Sequence, residues 1–386
     1  MSKVSFDVEE FLATARAAAG LQDFGAEDFL EPLEVLCQTY ENAPFDEQGR
    51  ERNRRRVLDL LGRRLRVQAA LCLHPEIADR ELGPPLVLTG MPRSGTSALF
   101  NLLAADPAAR ALLLWETLFP EPLDASEPGA PDPRHEAVRA HFEADHEKNP
   151  EFAKIHYSSA DTPEECVLLH ALTFNGVHHG VEVMLEPYAS WYRRQDLLPM
   201  YRYYRMLLQM LDWQRPGERW LLKAPAHMWA IEALLDVFPG TNVVWSHRDP
   251  LLCTASICSM THAIGQGSLA TPKQELGPVV MDFYATSLER GLEARDRCDA
   301  ARFVDVMHDE FVEKPEAVVA HIYEYFGLGL GEEAFESMEA HTRANPKGKH
   351  GAHNYSLEEW GLDPLAVRER FEPYMERFGI ETSACD

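Results

Sequence analysis

Leu86-Val87-Leu88-Thr89-Gly90-Met91-Pro92-Arg93-Ser94-Gly95-Thr96-Ser97 carries the clearest structural statement in this chain. Pro84-Pro85 ends a helical texture, and 86–89 is then a short apolar run. Such a run reads as a strand covered on both faces, the mark of a parallel sheet. Residues 90–97 are mostly small, 98–105 read as a helix, and Asp106-Pro107 stops it. Strand, small-residue turn and helix together outline an anion site. The backbone N–H groups of 94–97 point at one phosphate, and the helix dipole adds to them. Gly95 lets the backbone come close, while Arg93 and the hydroxyls of Ser94, Thr96 and Ser97 supply side-chain donors.

The pattern repeats outward from this segment. Strand candidates stand at 111–115, 220–222, 242–246 and 302–306, and helices at 227–238, 250–260 and 315–326. Alternating strands and helices imply a three-layer α/β/α fold: a central parallel sheet covered on both faces, with a P-loop-like phosphate loop. Residues 1–83 read as a helical N-terminal extension, with helices near 8–19, 28–37 and 52–72. The arginine run in the last of these reads as a solvated helix face. Residues 84–386 form the main domain, with a helical insertion at 120–215. Within it, Thr162-Pro163-Glu164-Glu165 reads as a helix start, with Thr162 as N-cap and Glu165 closing a capping box. The aromatic row of 188–213 is expected either as core or as the wall of an apolar pocket.

Composition narrows the function. The formal net charge of −25 argues against nucleic acid as a partner, which needs a broad basic surface. An anionic ligand must then be held by a few local cations and helix N-termini. Seven cysteines with no CxxC pair signal neither a disulfide framework nor a zinc site, and no metal is expected. No apolar run is long enough to span a bilayer, and the first residues lack the apolar centre of a signal peptide, so the expectation is a soluble, cytoplasmic protein. Nothing in the sequence decides the oligomeric state.

The loop has one obvious competitor, the nucleoside-triphosphate motif G-x-x-x-x-G-K-[ST]. Gly90 and Gly95 fit it, but Thr96 stands where the lysine that reaches the β- and γ-phosphates belongs. A small-molecule kinase is therefore the weaker reading, and a nucleotide-binding protein without catalysis is another. Pro92-Arg93-Ser94-Gly95-Thr96-Ser97 resembles instead the 5′-phosphosulfate loop of sulfotransferases that use 3′-phosphoadenosine 5′-phosphosulfate (PAPS). Three further segments resemble that family in order. They are Lys223-Ala224-Pro225-Ala226-His227, then Trp245-Ser246-His247-Arg248-Asp249-Pro250 with Ser256 beyond it, then Pro346-Lys347-Gly348-Lys349-His350-Gly351. The likeness is to the bacterial branch with a helical N-terminal extension.

That resemblance implies a sulfuryl transfer from PAPS to the hydroxyl of a hydrophobic small molecule or lipid, without a metal. It implies that Arg248 and Ser256 hold the 3′-phosphate and that Lys347, Gly348 and Lys349 close over the nucleotide. Guanidinium suits phosphate because it binds it bidentately and stays charged. Transfer goes in line and builds charge on the leaving phosphate oxygen, so it needs cations there and a base at the acceptor. Arg93 is the leading candidate for the leaving group, with Lys223 assisting from a strand end, where ligands bind in open α/β sheets. For the base, His227 and Glu164 are rivals, with His178 and His179 as fainter candidates.

Overall fold

The computed structural model describes residues 5–123, 131–148, 159–177, 184–265, 272–345 and 356–381. Five strands form one parallel sheet: β1 (Leu86–Gly90), β2 (Ala109–Ala111), β3 (Arg219–Lys223), β4 (Asn242–His247) and β5 (Phe303–Met307). Their order is β2-β3-β1-β4-β5, so β1 lies at the centre. The register pairs Leu86 with Leu221 on one side and with Asn242 on the other. The carboxyl ends of β3, β1 and β4 therefore emerge side by side.

Both faces of the sheet are covered. In β1, Leu86 and Leu88 join one apolar cluster with Leu99, Phe100 and Val304, whereas Val87 joins another on the opposite face. This alternation is the period-two signature of a strand. Val87 shares its cluster with Leu222, with Phe11 and Leu61 of the N-terminal helices, and with Tyr201 and Tyr204. Helices Pro250–Gly265, Lys273–Asp296 and Pro364–Phe378 pack around Val243 and Trp245 of β4. The expected three-layer architecture with a parallel sheet is what the chain adopts. The expected second strand lies earlier than 111–115, at Ala109–Ala111.

Two local expectations fail for physical reasons. The capping-box pattern at 162–165 does not start a helix. Pro163 pairs in a bridge with Leu113, and Leu114 N–H donates to the Thr162 carbonyl at 3.0 Å. The short helix there begins only at Val167. The arginine run of helix Glu47–Leu73 is not uniformly solvated either. Arg64 is fully buried, donating to the carbonyls of Phe24 (2.9 Å), Ala26 (2.7 Å) and Leu172 (3.2 Å) between the rings of Phe29 and Tyr203. The aromatic row is core: Tyr188, Trp191, Tyr192, Tyr201 and Tyr204 are all buried.

Candidate active site

The loop after β1 bends sharply into helix Thr96–Leu103. Leu99 N–H donates to the Gly95 carbonyl at 3.1 Å, the first bond of that helix. The amides of Thr96, Ser97 and Ala98 thus precede any intrahelical acceptor and point out of the helix start. Gly95 has φ 91°, and a Cβ there would come within 2.9 Å of the His308 ring. Gly90 has φ 139°, and a Cβ there would stand 2.4 Å from the Ser246 carbonyl oxygen. Glycine is required at both positions.

Side chains from β4 and the helix after it hold the loop in shape. Ser246 Oγ donates to the Ser94 carbonyl at 3.0 Å, and Ser94 Oγ to the Met91 carbonyl at 2.7 Å. Arg93 lies in the left-handed region, at φ 69°, which is uncommon for a residue with a side chain. It is held from two directions. Arg248 Nη1 donates to its carbonyl at 2.8 Å, and its own Nε donates to Ser256 Oγ at 3.0 Å. Among the described residues neither Arg93 nor Arg248 forms an ion pair. Two guanidinium groups without carboxylate partners beside a helix start make a concentrated anion site in a chain of net charge −25. A cleft of about 250 Å³ adjoins Arg248, lined also by Leu252, Met307 and His308 and by the carboxylates Asp249, Asp309 and Glu381.

Lys223 ends β3, beside Leu88 of β1. It is buried, and its ammonium donates to Ser97 Oγ at 3.1 Å and to the Glu165 carboxylate, over the ring of Phe100. Cys166 N–H donates to the Lys223 carbonyl at 3.0 Å, which fixes the segment bearing Glu165 across the strand end. The local sequence pattern places Glu165 in a capping box. The bridge at Pro163 removes that helix and leaves its carboxylate on Lys223.

The other expected residues lie around this cluster. Glu164 N–H donates to the Leu112 carbonyl at 2.9 Å, and its carboxylate accepts from Glu165 N–H at 2.7 Å. Burial pushes its carboxyl up from the ordinary range. His227 is completely buried in the short helix Pro225–Ala230. Its Nδ1 is 2.6 Å from the Tyr201 hydroxyl, its ring contacts that of His170, and its Nε2 has no hydrogen-bond partner. Burial lowers its pKa to about 3, so it is neutral. The structure therefore brings together Arg93, Ser94, Gly95, Thr96, Ser97, Lys223, Arg248 and Ser256, adds Glu165, and sets His227 into the core. Pro92 is buried at the base of the loop. Lys347, Gly348, Lys349, His178 and His179 lie outside the described residues.

Comparison with known proteins places the fold and the family. A profile described as the Sulfotransferase family covers residues 84–332. Sulfotransferase STF9 from Mycobacterium avium is 30% identical, with a TM-score of 0.89 over 99% of both chains. Sulfotransferase STF1 from Mycobacterium tuberculosis H37Rv is 33% identical, with a TM-score of 0.85 over 96% of this chain and 100% of that one. The omega-hydroxy-beta-dihydromenaquinone-9 sulfotransferase Stf3 of Mycobacterium bovis is 23% identical over 163 residues, which span 42% of this chain and 41% of the relative's length. The match to that curated relative thus covers about two fifths of it. The profile spans well over half of the chain, and it contains the phosphate loop, Lys223, Arg248 and Ser256: the chain belongs to the sulfotransferase family.

Proposed function

We propose that the protein transfers a sulfuryl group from PAPS to the hydroxyl of an apolar acceptor, giving a sulfate ester and adenosine 3′,5′-bisphosphate. The observation that carries this reading is the position of Lys223, between Ser97 of the phosphate loop and the Glu165 carboxylate. A cation beside an anion loop and a carboxylate behind it is what in-line transfer from a phosphate leaving group needs.

In this scheme the amides of 96–98 and the hydroxyls of Thr96 and Ser97 hold the 5′-phosphosulfate, and Arg248 with Ser256 takes the 3′-phosphate. The acceptor oxygen forms a bond to sulfur as the bond from sulfur to the phosphate oxygen breaks. Arg93 and Lys223 meet the charge that builds on that leaving oxygen. As Lys223 turns toward it, the Glu165 carboxylate is freed to take the acceptor's hydroxyl proton. Glu165 replaces both His227 and Glu164 as the base. The first is completely buried with its Nδ1 against the Tyr201 hydroxyl, and the second is engaged with the backbone of its neighbour. Lys347, Gly348 and Lys349 remain the proposed cover over the nucleotide. The six cysteines among the described residues are free thiols, which suits a reducing compartment such as the cytoplasm. No helix among those residues is long and apolar enough to cross a membrane.

The apolar acceptor rests on the substrate for which the Stf3 relative is named, an omega-hydroxy-beta-dihydromenaquinone-9. The test is to incubate the protein with PAPS and a series of primary alcohols of increasing chain length and to follow release of adenosine 3′,5′-bisphosphate. Release that requires the alcohol and rises with chain length is expected. Release independent of any alcohol, or none with any hydroxyl acceptor, would overturn the reading.

A further inference from the structure

His247 is the last residue of β4 and directly precedes Arg248. Its ring is completely buried, yet both nitrogens are engaged. Nε2 lies 2.8 Å from an Asp305 carboxylate oxygen on β5, and Nδ1 lies 3.1 Å from the Tyr374 hydroxyl on helix Pro364–Phe378. A carboxylate can only accept, so Nε2 carries the proton and Nδ1 is left as an acceptor. Tyr374 then donates its hydroxyl proton to Nδ1, and its oxygen accepts from the Arg248 backbone N–H. Every donor in this row points the same way, from the Arg248 amide through Tyr374 and His247 to Asp305. The row is held at its far end by Arg295, which donates twice to the Asp305 carboxylate, at 2.6 and 2.8 Å. The Phe378 ring stacks on the imidazole, with centroids 3.9 Å apart. Burial lowers the His247 pKa although Asp305 pulls it upward, so the imidazole stays neutral and the directions are kept.

We propose that Tyr374 is a positioning residue for the donor's 3′-phosphate: its hydroxyl, fixed by His247 and Asp305, sets the backbone of Arg248 and so the direction in which that guanidinium is presented. The proposal rests on the reading of Arg248 as the 3′-phosphate residue. Tyr374 is buried, so it acts through Arg248 rather than on the nucleotide itself. Buried polar groups in a fully satisfied row hold one geometry, whereas apolar packing of the same helix would need none of them. The row ends at the residue whose side chain must be aimed. The Arg248 guanidinium is itself exposed and is tied to the loop by a single bond, to the Arg93 carbonyl. Its direction is therefore fixed from the backbone, and the C-terminal helix supplies the fixing group. Gly379, Ile380 and Glu381, which follow that helix, line the cleft beside Arg248, so helix and cleft are continuous.

The test is calorimetric titration of adenosine 3′,5′-bisphosphate and of AMP into the full chain, as wild type, Tyr374→Phe, Arg248→Ala and the double variant. Tyr374→Phe keeps the ring and removes only the hydroxyl. The bisphosphate should bind it about 3- to 10-fold more weakly, the range for one neutral hydrogen bond, and AMP less than about 2-fold more weakly. Retained AMP binding also reports a folded site. With Arg248 already replaced, adding Tyr374→Phe should weaken the bisphosphate by no more than about 2-fold further, because no guanidinium is left to aim. Asp305→Asn is the second variant. It acts from the part-exposed end of the row, removes the carboxylate that fixes the imidazole tautomer, and should show the same selective loss. An equal loss for the two nucleotides, or wild-type affinity for the bisphosphate, in either single variant of the row would overturn the inference. So would additive losses in the double variant, which would assign Tyr374 to packing alone. A selective loss in Arg248→Ala with none in Tyr374→Phe leaves the 3′-phosphate reading standing, whereas no selective loss in Arg248→Ala sinks that reading and the inference together.

Discussion

The Lys223 ammonium is shared between the Glu165 carboxylate and Ser97 Oγ, at 3.1 Å from the latter, at the carboxyl end of β3. One buried cation thus ties the phosphate loop to the segment that follows the Leu113–Pro163 bridge. Glu165→Gln keeps the shape and removes the proton acceptor. Its kcat is expected to fall by about 10²- to 10⁴-fold, the usual range for losing a positioned base, with little change in affinity for adenosine 3′,5′-bisphosphate. Glu164→Gln should stay within a few-fold of wild type, because its carboxyl is raised by burial and a neutral amide oxygen can still accept from Glu165 N–H. Single-turnover sulfation rates separate the two. The reverse ranking would return the role to Glu164.

Arg248 and Ser256 reach Arg93 from opposite ends, one through its carbonyl and one through its side chain. Arg248→Ala should weaken adenosine 3′,5′-bisphosphate by roughly 10- to 100-fold, since a charged hydrogen bond contributes about 1.5–3 kcal/mol. Ser256→Ala should cost about 2- to 10-fold, as for a neutral donor. AMP lacks the 3′-phosphate, so its binding should suffer less from Arg248→Ala. Isothermal titration of the two nucleotides against the two variants reads this directly. An equal loss for AMP would mean that Arg248 acts only through the Arg93 carbonyl.

The parallel sheet was legible because its central strands are announced by short apolar runs next to glycine or proline, as at 84–90 and 239–246. The cation positions followed, since Lys223 stands one residue and Arg248 two residues past such a run. Glu165 was hidden because Thr162-Pro163-Glu164-Glu165 satisfies a local rule that a distant partner overrides. Leu113 takes Pro163 into a bridge, and no local pattern reports that. Arg64 was hidden for a related reason. Nothing in an arginine-rich helix says which guanidinium will meet the carbonyls of Phe24, Ala26 and Leu172.

That buried guanidinium makes a prediction about stability. Arg64 donates to Phe24 and Ala26 of the N-terminal region and to Leu172 on the far side of the same core. Removing it strands those carbonyls and opens space between the Phe29 and Tyr203 rings. Arg64→Ala is expected to destabilise the fold by about 3–5 kcal/mol, in line with breaking a buried charged network. Arg64→Lys should recover little of it, because an ammonium lacks the planar fork. Urea unfolding of the three proteins measures the difference. A loss below about 1 kcal/mol in Arg64→Ala would show that this guanidinium adds little to the other contacts that hold the N-terminal helices.

His227 offers a pH test that a base and a core residue would answer differently. Its folded pKa is lowered to about 3 by burial, against an ordinary value near 6.5 in the unfolded chain. Between these two values the unfolded chain binds a proton that the native one refuses. The stability from this group is therefore complete above about pH 6.5 and falls as pH drops toward 3, by up to about 1.4 kcal/mol per pH unit. His227→Gln removes the titrating group, so its unfolding free energy should depend on pH less steeply by one proton between pH 6 and 4. The acidic limb of the activity profile should be the same in His227→Gln and wild type, since a completely buried imidazole takes no part in the transfer. If instead the His227 ring titrates near 6.5 by NMR and the acidic limb vanishes in the variant, the imidazole reaches the acceptor and the Tyr201 contact opens during turnover.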